Sequence, residues 1–317
     1  MIARRALLAG LAVPNVARAA WPERPLRFVI PFAPGGNFDI AGRLFCRYLQ
    51  EELGQPVVAE NRPGASTVVA TSLVARSAPD GLTVLSGGLN LALNKYLMRD
   101  LPYDAARDLV AVAQLTTVPY MLSVDPRLPF ATLAELVAAA RAAPGRYSYA
   151  SFGIGGAAHL AGEMLDLMAG ISTLHVPFNG AAPAMLEVMA GRVSMAWTSI
   201  PPALPEIAAG KLRPLGIGSL ERVRYLPEVP TMAESLPGFE VVSLNTLFLP
   251  SRTPAEIVQR LNAASLAVMR LPAMQQAMEA HGFLTAPPMN PAETAQRFTS
   301  TAEKLARVIR EARIRVE

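Results

Sequence analysis

Cysteine is nearly missing from this 317-residue chain, and Cys46 stands alone. A disulfide-stapled mini-domain is therefore excluded. Charge is sparse too, at 17% of residues against 51% hydrophobic, which excludes a disordered chain. Histidine is limited to His159, His175 and His281, which fall in different segments and share no ligand spacing. No metal site and no cofactor are expected. No segment offers the roughly 18 consecutive apolar residues of a membrane span. Also absent are a Gly-x-Ser-x-Gly elbow, a His-Glu-x-x-His pair and the Gly-x4-Gly-Lys of a phosphate loop, so the usual enzyme signatures are lacking. Cys46 falls inside an amphipathic helix rather than at its electropositive start, which reads as a packed thiol.

What is present begins with an address. Residues 1–20 read MIARRALLAGLAVPNVARAA. Arg4 and Arg5 precede a short apolar segment, Pro14 breaks it, and Ala17-Arg18-Ala19 supplies the small-x-small pattern of a signal-peptidase site. Export to the periplasm with cleavage after Ala19 is expected. The Arg-Arg pair partly fits a twin-arginine leader, so the route stays open between that and the general one. Cys46 lies too far from the cut to carry a lipoprotein anchor. The whole chain has 29 basic and 25 acidic residues, a net charge of +4. Residues 1–19 hold Arg4, Arg5 and Arg18 and no acid, so 26 basic and 25 acidic residues remain and the mature charge is +1. No nucleic-acid partner is expected from that balance.

The rest alternates. Arg27 to Phe32 is an apolar β-rich run stopped by Ala33-Pro34-Gly35-Gly36. Ile40, Ala41, Leu44, Phe45, Tyr48, Leu49 and Leu53 then recur at helical spacing, and Gly54 with Pro56 ends the helix. Val57 to Glu60 is a strand, Thr67 to Ala75 a helix, and Thr83 to Leu85 a strand followed by Ser86-Gly87-Gly88. A second series starts near residue 121. It has a Thr132/Glu135 capping box, strands at Tyr147–Ser151, Thr173–Pro177, Val193–Trp197 and Leu212–Ile217, and helices over Ala158–Met168 and Pro183–Ala190. Thr253-Pro254-x-Glu256 and Asn290-Pro291-x-Glu293 read as matching capped helix starts. Strand, Gly-rich turn and helix in alternation give an α/β fold with mainly parallel sheets. Leu109–Val118 and Phe239–Leu249 fit neither series and read as strands crossing between two lobes. The boundaries predicted are 20–118 plus 243–317 for lobe 1 and 119–242 for lobe 2, with the ligand in the cleft between them.

Two readings compete at the Gly-rich loops. Gly153-Ile154-Gly155-Gly156-Ala157-Ala158 matches Gly-x-Gly-x-x-Ala between a strand and a helix, so a nucleotide-dependent α/β enzyme is the alternative. The next strand, however, ends His175-Val176-Pro177-Phe178-Asn179 and supplies no acid for a ribose. The leading reading takes Gly35-Gly36-Asn37, Ala65-Ser66-Thr67 and Gly155-Gly156-Ala157 together. Each brings small residues to a helix start, where free N–H groups and the helix dipole favour an anion.

At these loops the sequence resembles the Bug family of periplasmic solute-binding proteins, receptors of tripartite tricarboxylate transporters. The matching residues run through nearly the whole mature chain. They include Pro31-Phe32-x-x-Gly35-Gly36-x-x-Asp39 with Arg43, Glu60-Asn61-Arg62-Pro63-Gly64-Ala65, and Ala78-Pro79-Asp80-Gly81. Ser151-x-Gly153-x-Gly155 with His159-Leu160-Ala161-Gly162-Glu163 follows, then His175-Val176-Pro177-Phe178-x-Gly180. Leu226-Pro227-x-Val229-Pro230-Thr231-x-x-Glu234 and Pro237-Gly238-Phe239 complete the set. The resemblance implies two Rossmann-like lobes of type II periplasmic-binding-protein architecture that close on a small carboxylate, without catalysis. Carried over, the expected ligand contacts are Phe32, Gly35, Gly36, Asn37, Phe38, Ser66, Thr67, Ser86, Ser151, Gly155, Gly156, Ala157, Asn179 and Thr198. Asp39 and His159 are expected to be structural at the site, with His159 packing behind its loop rather than titrating in function. The implied partners are integral-membrane transporter subunits or a sensor protein, and the chain is expected to act as a monomer.

Departures from the family pattern bear on the ligand. Asn37-Phe38 replaces two hydroxyl residues, and Gly64-Ala65-Ser66-Thr67 replaces a Gly-Ala-Gly-Gly run. Asn179 stands for a frequent lysine, and Ser194 and Thr198 for frequent acids. Leu244-Asn245-Thr246 replaces the usual Trp-x-Gly. Fewer acids disfavour a ligand amine and Phe38 favours an aromatic or alkyl part. The expected ligand is a carboxylate without a free amine, with aromatic and hydroxy acids as candidates.

Overall fold

A computed structural model describes residues 21–178 and 180–314. The leader predicted over residues 1–19 and the predicted contact Asn179 lie outside the described residues. The chain opens with β1 (Leu26–Ile30), α1 (Asn37–Leu53), β2 (Val57–Asn61), α2 (Val68–Ala75), β3 (Thr83–Gly87), α3 (Asn90–Leu97) and α4 (Ala105–Asp108). The 16-residue strand β4 (Leu109–Val124) follows. Then come α5 (Leu133–Ala142), β5 (Ser148–Ser151), α6 (Ala157–Ala169), β6 (Leu174–Pro177), α7 (Ala181–Met189), β7 (Met195–Ser199), α8 (Ile200–Ala208), β8 (Arg213–Ile217) and α9 (Met232–Ser235). The chain closes through β9 (Val242–Pro250), α10 (Ala255–Arg270), α11 (Pro272–Ala280), β10 (Leu284–Thr285) and α12 (Pro291–Glu311).

The fold is mixed α/β, with two parallel blocks at the two ends of one strand order, β2-β1-β3-β9-β4-β7-β5-β6. β1 pairs parallel with β2 and β3, and β5 pairs parallel with β6 and β7. The antiparallel pairings recorded all involve β4 or β9. β4 runs six residues past the predicted Val118 and changes partners on the way. Leu109 to Pro119 pair with β9, and Tyr120 to Val124 pair with β7 and β8. Proline has no N–H to give a ladder, so Pro119 sits at the switch, where one is least needed. Next to it Tyr120 donates to Val241 O (3.1 Å), Gly218 donates to Tyr120 O (2.7 Å) and Val241 donates to Gly218 O (2.8 Å). A Cβ on Gly218 would stand 2.7 Å from Val241 O, so this three-backbone junction requires glycine.

The helix starts behave differently from one another. Thr132 and Asn290 form full capping boxes with Glu135 and Glu293, as predicted. Thr253 does not cap α10. Its hydroxyl donates to Pro250 O at 2.7 Å, and Pro254 takes the N-cap place. Cys46 is buried in α1, and burial pushes its thiol up to about 12. The return segment before β9 is anchored by Glu240, 2% exposed, which accepts from Arg297 (2.8 Å) and Lys304 (2.5 Å) of α12. α12 also packs on both α3 and α6, one from each end of the sheet.

Candidate ligand-binding site

Phe32 to Gly36 link β1 to α1, and Phe152 to Gly156 link β5 to α6. The two segments correspond position by position at a spacing of 120 residues: Phe32 with Phe152, Gly35 with Gly155, Gly36 with Gly156, Asp39 with His159, Gly42 with Gly162. In each, the first glycine is left-handed (φ 85° and 74°), a conformation glycine adopts at little cost. In each, the second glycine is an extended N-cap without a capping side chain. The first glycine then donates its N–H to the side chain four residues on. Gly35 reaches Asp39 Oδ2 at 2.9 Å, and Gly155 reaches His159 Nδ1 at 2.9 Å. Each loop is thereby tied back to the first turn of its own helix.

The two ties differ in charge. Burial opposes ionisation of Asp39, but the Gly35 N–H, the Asn61 amide (2.9 Å) and the Arg43 guanidinium (2.8 Å) outweigh it and hold the carboxyl below its usual range. Asn61 also donates to Phe32 O at 3.0 Å, which fixes the loop's first residue. Behind the second loop, Glu163 Oε1 lies 3.5 Å from His159 Nε2 and accepts from the Tyr149 hydroxyl at 2.7 Å. The His159 N–H, against the opposing effect of burial, and then Tyr149 hold Glu163 low. His175 stacks on His159 with ring centroids 3.9 Å apart, and Ser151 Oγ lies 2.6 Å from His175 Nε2. Burial, then the neighbouring ring, pushes His175 down to about 4.

Between the loops lies a cleft of about 780 Å³, within the range of small-ligand sites. Five helix starts reach its wall: Gly36-Asn37 of α1, Leu89-Asn90 of α3, Gly156-Ala157 of α6, Ala181-Ala182 of α7 and Ser199 of α8. None of the five carries a capping side-chain hydrogen bond. Side-chain caps or capping boxes belong, among the described helices, to α4, α5, α9 and α12, which start elsewhere. No Asp, Glu, Lys or Arg is among the described wall residues. The body of the wall is aromatic and apolar. Phe32 and Phe38 meet at 4.4 Å between centroids, Tyr120 stacks on Phe152 at 5.9 Å, and Phe283, Pro201 and Leu204 add to the lining. An anion here would meet backbone N–H groups at helix starts and neutral donors such as Asn37, Asn90, Ser199 and Ser243, with no Lys or Arg among the described wall residues.

Residues 42–314 match the family described as "Tripartite tricarboxylate transporter family receptor". The chain belongs to this receptor family. A protein in the tcbD-tcbE intergenic region of a Pseudomonas strain is 37% identical over 99% of this chain and 96% of its own length. The solved structure of a Rhodopseudomonas palustris protein with adipate has a TM-score of 0.83 at 32% identity, covering 93% of this chain and all of that one. MatC from the same organism, with bound malate, has a TM-score of 0.78 at 31% identity, covering 91% and 100%. Members of the family are periplasmic solute-binding proteins, and the chain is such a receptor rather than an enzyme. That sets aside the nucleotide-dependent reading of the 153–158 loop. No helix among the described residues is long and apolar enough to cross a membrane.

The receptor brings part of the predicted set to the cleft wall: Phe32, Gly35, Gly36, Asn37, Phe38, Gly156 and Ala157. Others stand behind it. Gly155 is buried and tied to His159. The Ser86 hydroxyl is taken by Asn245 Oδ1 at 2.7 Å, Ser151 lies against His175, and Thr198 is buried beside the wall residue Ser199. Ser66 accepts from the wall residue Asn90 at 3.3 Å, and Thr67 is buried one residue further. Ala65, Ser66 and Thr67 are all left-handed (φ 44°, 50° and 79°), and at Ser66 and Thr67 the family pattern described above has glycine. Leu89, Asn90, Tyr120, Ser199, Ser243, His281 and Phe283 reach the wall without having been predicted. Gly87-Gly88 before Asn90 and Pro201-Pro202 after Ser199 were readable helix-start signals for two of them. Nothing local marks the others.

Proposed function

We propose that this receptor captures a small carboxylate without a free amine, its body aromatic or alkyl, and delivers it to integral-membrane subunits of a tripartite transporter or to a sensor protein. Lobe 1 (residues 20–118 and 243–317) closes on lobe 2 (residues 119–242), and the carboxylate sits among the helix starts. The leader over residues 1–19 takes the chain to the periplasm, by either export route, where it acts as a monomer. The observation carrying this reading is the set of five uncapped helix starts on a wall with no Asp, Glu, Lys or Arg among its described residues. Unclaimed N–H groups attract an anion, whereas an ammonium group finds no carboxylate there. The Phe32–Phe38 and Tyr120–Phe152 pairs suit a flat or apolar body. The adipate and malate bound by the two solved relatives support the carboxylate class.

A thermal-shift screen tests it, followed by calorimetry. Benzoate, adipate and hydroxy acids should raise the melting temperature, while amino acids and nucleotides should not. Tight binding of aspartate or glutamate, with no response to aromatic or hydroxy acids, would overturn the proposed ligand class.

A further inference from the structure

The bond from Gly155 N–H to His159 Nδ1 has a chemical consequence that its counterpart at Asp39 lacks. An imidazole nitrogen accepts a backbone N–H only while it carries no proton itself. His159, 6% exposed, is therefore in the form with its proton on Nε2, the nitrogen 3.5 Å from Glu163. Protonation at Nδ1 would set two N–H groups against each other across 2.9 Å, while the new charge would draw the ring toward Glu163. One side of the ring would gain what the loop loses. Asp39 undergoes no such exchange, because Arg43 and Asn61 keep it ionised.

We infer that His159 is a positioning residue which holds the second Gly-rich loop in place only while its ring is neutral, so that acidification unlatches that side of the cleft. The groups facing the ring agree with this assignment. Tyr149 from β5 spends its hydroxyl on Glu163, and His175 from β6 stacks on the ring. Glu163 and, one turn on, Asp166 come from its own helix, with burial pushing Asp166 up to about 6. β4 and β7, packed on α6, carry no charged side chain. On α12, which also packs there, Arg297 and Lys304 are taken up by Glu240. Gly156 and Ala157, the residues the latch supports, are on the cleft wall. The consequence for binding rests on the carboxylate reading above; the latch itself does not.

The test follows the Gly155 amide and the His159 ring nitrogens by NMR in the ligand-free chain, from about pH 8 to 5. The amide should lose its hydrogen-bonded shift and its exchange protection in the same transition that protonates Nδ1. In His159→Asn, whose amide oxygen accepts without titrating, the Gly155 signal should stay put. In His159→Leu it should be shifted at every pH. A Gly155 amide unmoved while the ring titrates would overturn the inference, as would one that still titrates in His159→Asn. Benzoate affinity supplies the second readout, compared between the unsubstituted chain and His159→Asn at each pH so that the contribution of every wall residue is common to both. On acidification it should fall about three-fold or more further when His159 is present than in His159→Asn. A coupled amide–ring transition in a chain that binds no benzoate supports the latch and counts against the ligand class alone.

Discussion

In the loop after β1, the N–H of the first glycine rests on a carboxylate backed by Arg43; in the loop after β5, it rests on an imidazole backed by Glu163. Backbone, glycine positions and the lining phenylalanine correspond, while the supporting charges are reversed. Both solutions leave the next amides unclaimed by side chains. The difference teaches that a βα loop needs an acceptor of the right reach, not a particular charge. The choice of acceptor then decides whether the loop responds to protons.

Breaking the first tie should cost most. Asp39→Ala leaves Arg43, Asn61 and the Gly35 N–H without their common acceptor, and the stability loss in urea unfolding should be about 3–4 kcal/mol. The next test is a glycine at the same place in both helices. A Cβ on Gly162 would stand 2.3 Å from the buried Tyr149 ring, whereas on Gly42 it would stand 3.0 Å from Phe28. Gly162→Ala should therefore cost about 2–3 kcal/mol by the same measurement.

Acid should separate the halves more gently. His175, with its pKa lowered from 6.5 to about 4, binds fewer protons folded than unfolded, so its contribution is complete above about 6.5 and lost as pH falls toward 4. Asp166, raised from 3.8 to about 6, has the opposite sign and gains stability as pH falls through that interval. His175→Gln should reverse the slope between about pH 6 and 4, by about 1–2 kcal/mol after solvent screening, as read from urea midpoints. The smallest effect belongs to Gly42→Ala, where helix propensity offsets the tight contact and the change should stay within about 1 kcal/mol. If Gly42→Ala proved as costly as Gly162→Ala, the two helices would be packed alike and the comparison would lose its steric half.

The two Gly-rich loops of the candidate site were readable because their parts are local. Gly35-Gly36 and Gly155-Gly156 each follow an apolar run and precede a helical pattern, and a left-handed glycine followed by an uncapped start spans only a few residues. Ser86 and Ser151 were picked out by the same local logic. They stand at strand ends, as binding hydroxyls do, but their partners Asn245 and His175 come from other segments. Thr253 looked like a cap by spacing, and a carbonyl three residues back took its hydroxyl.

By itself, the sequence determined the alternation of strands and helices, the two Gly-rich loops and the scarcity of charge, because propensity, φ restriction and periodicity act within a turn or two of chain. Only the tertiary structure decided that β4 changes partners at Pro119 and that Tyr120, Ser243, His281 and Phe283 share one wall with both loops. It also decided that Asp39 and His159 occupy one structural position with opposite partners. Those facts depend on pairing between residues far apart in sequence, which hydrophobic burial selects and no local signal encodes.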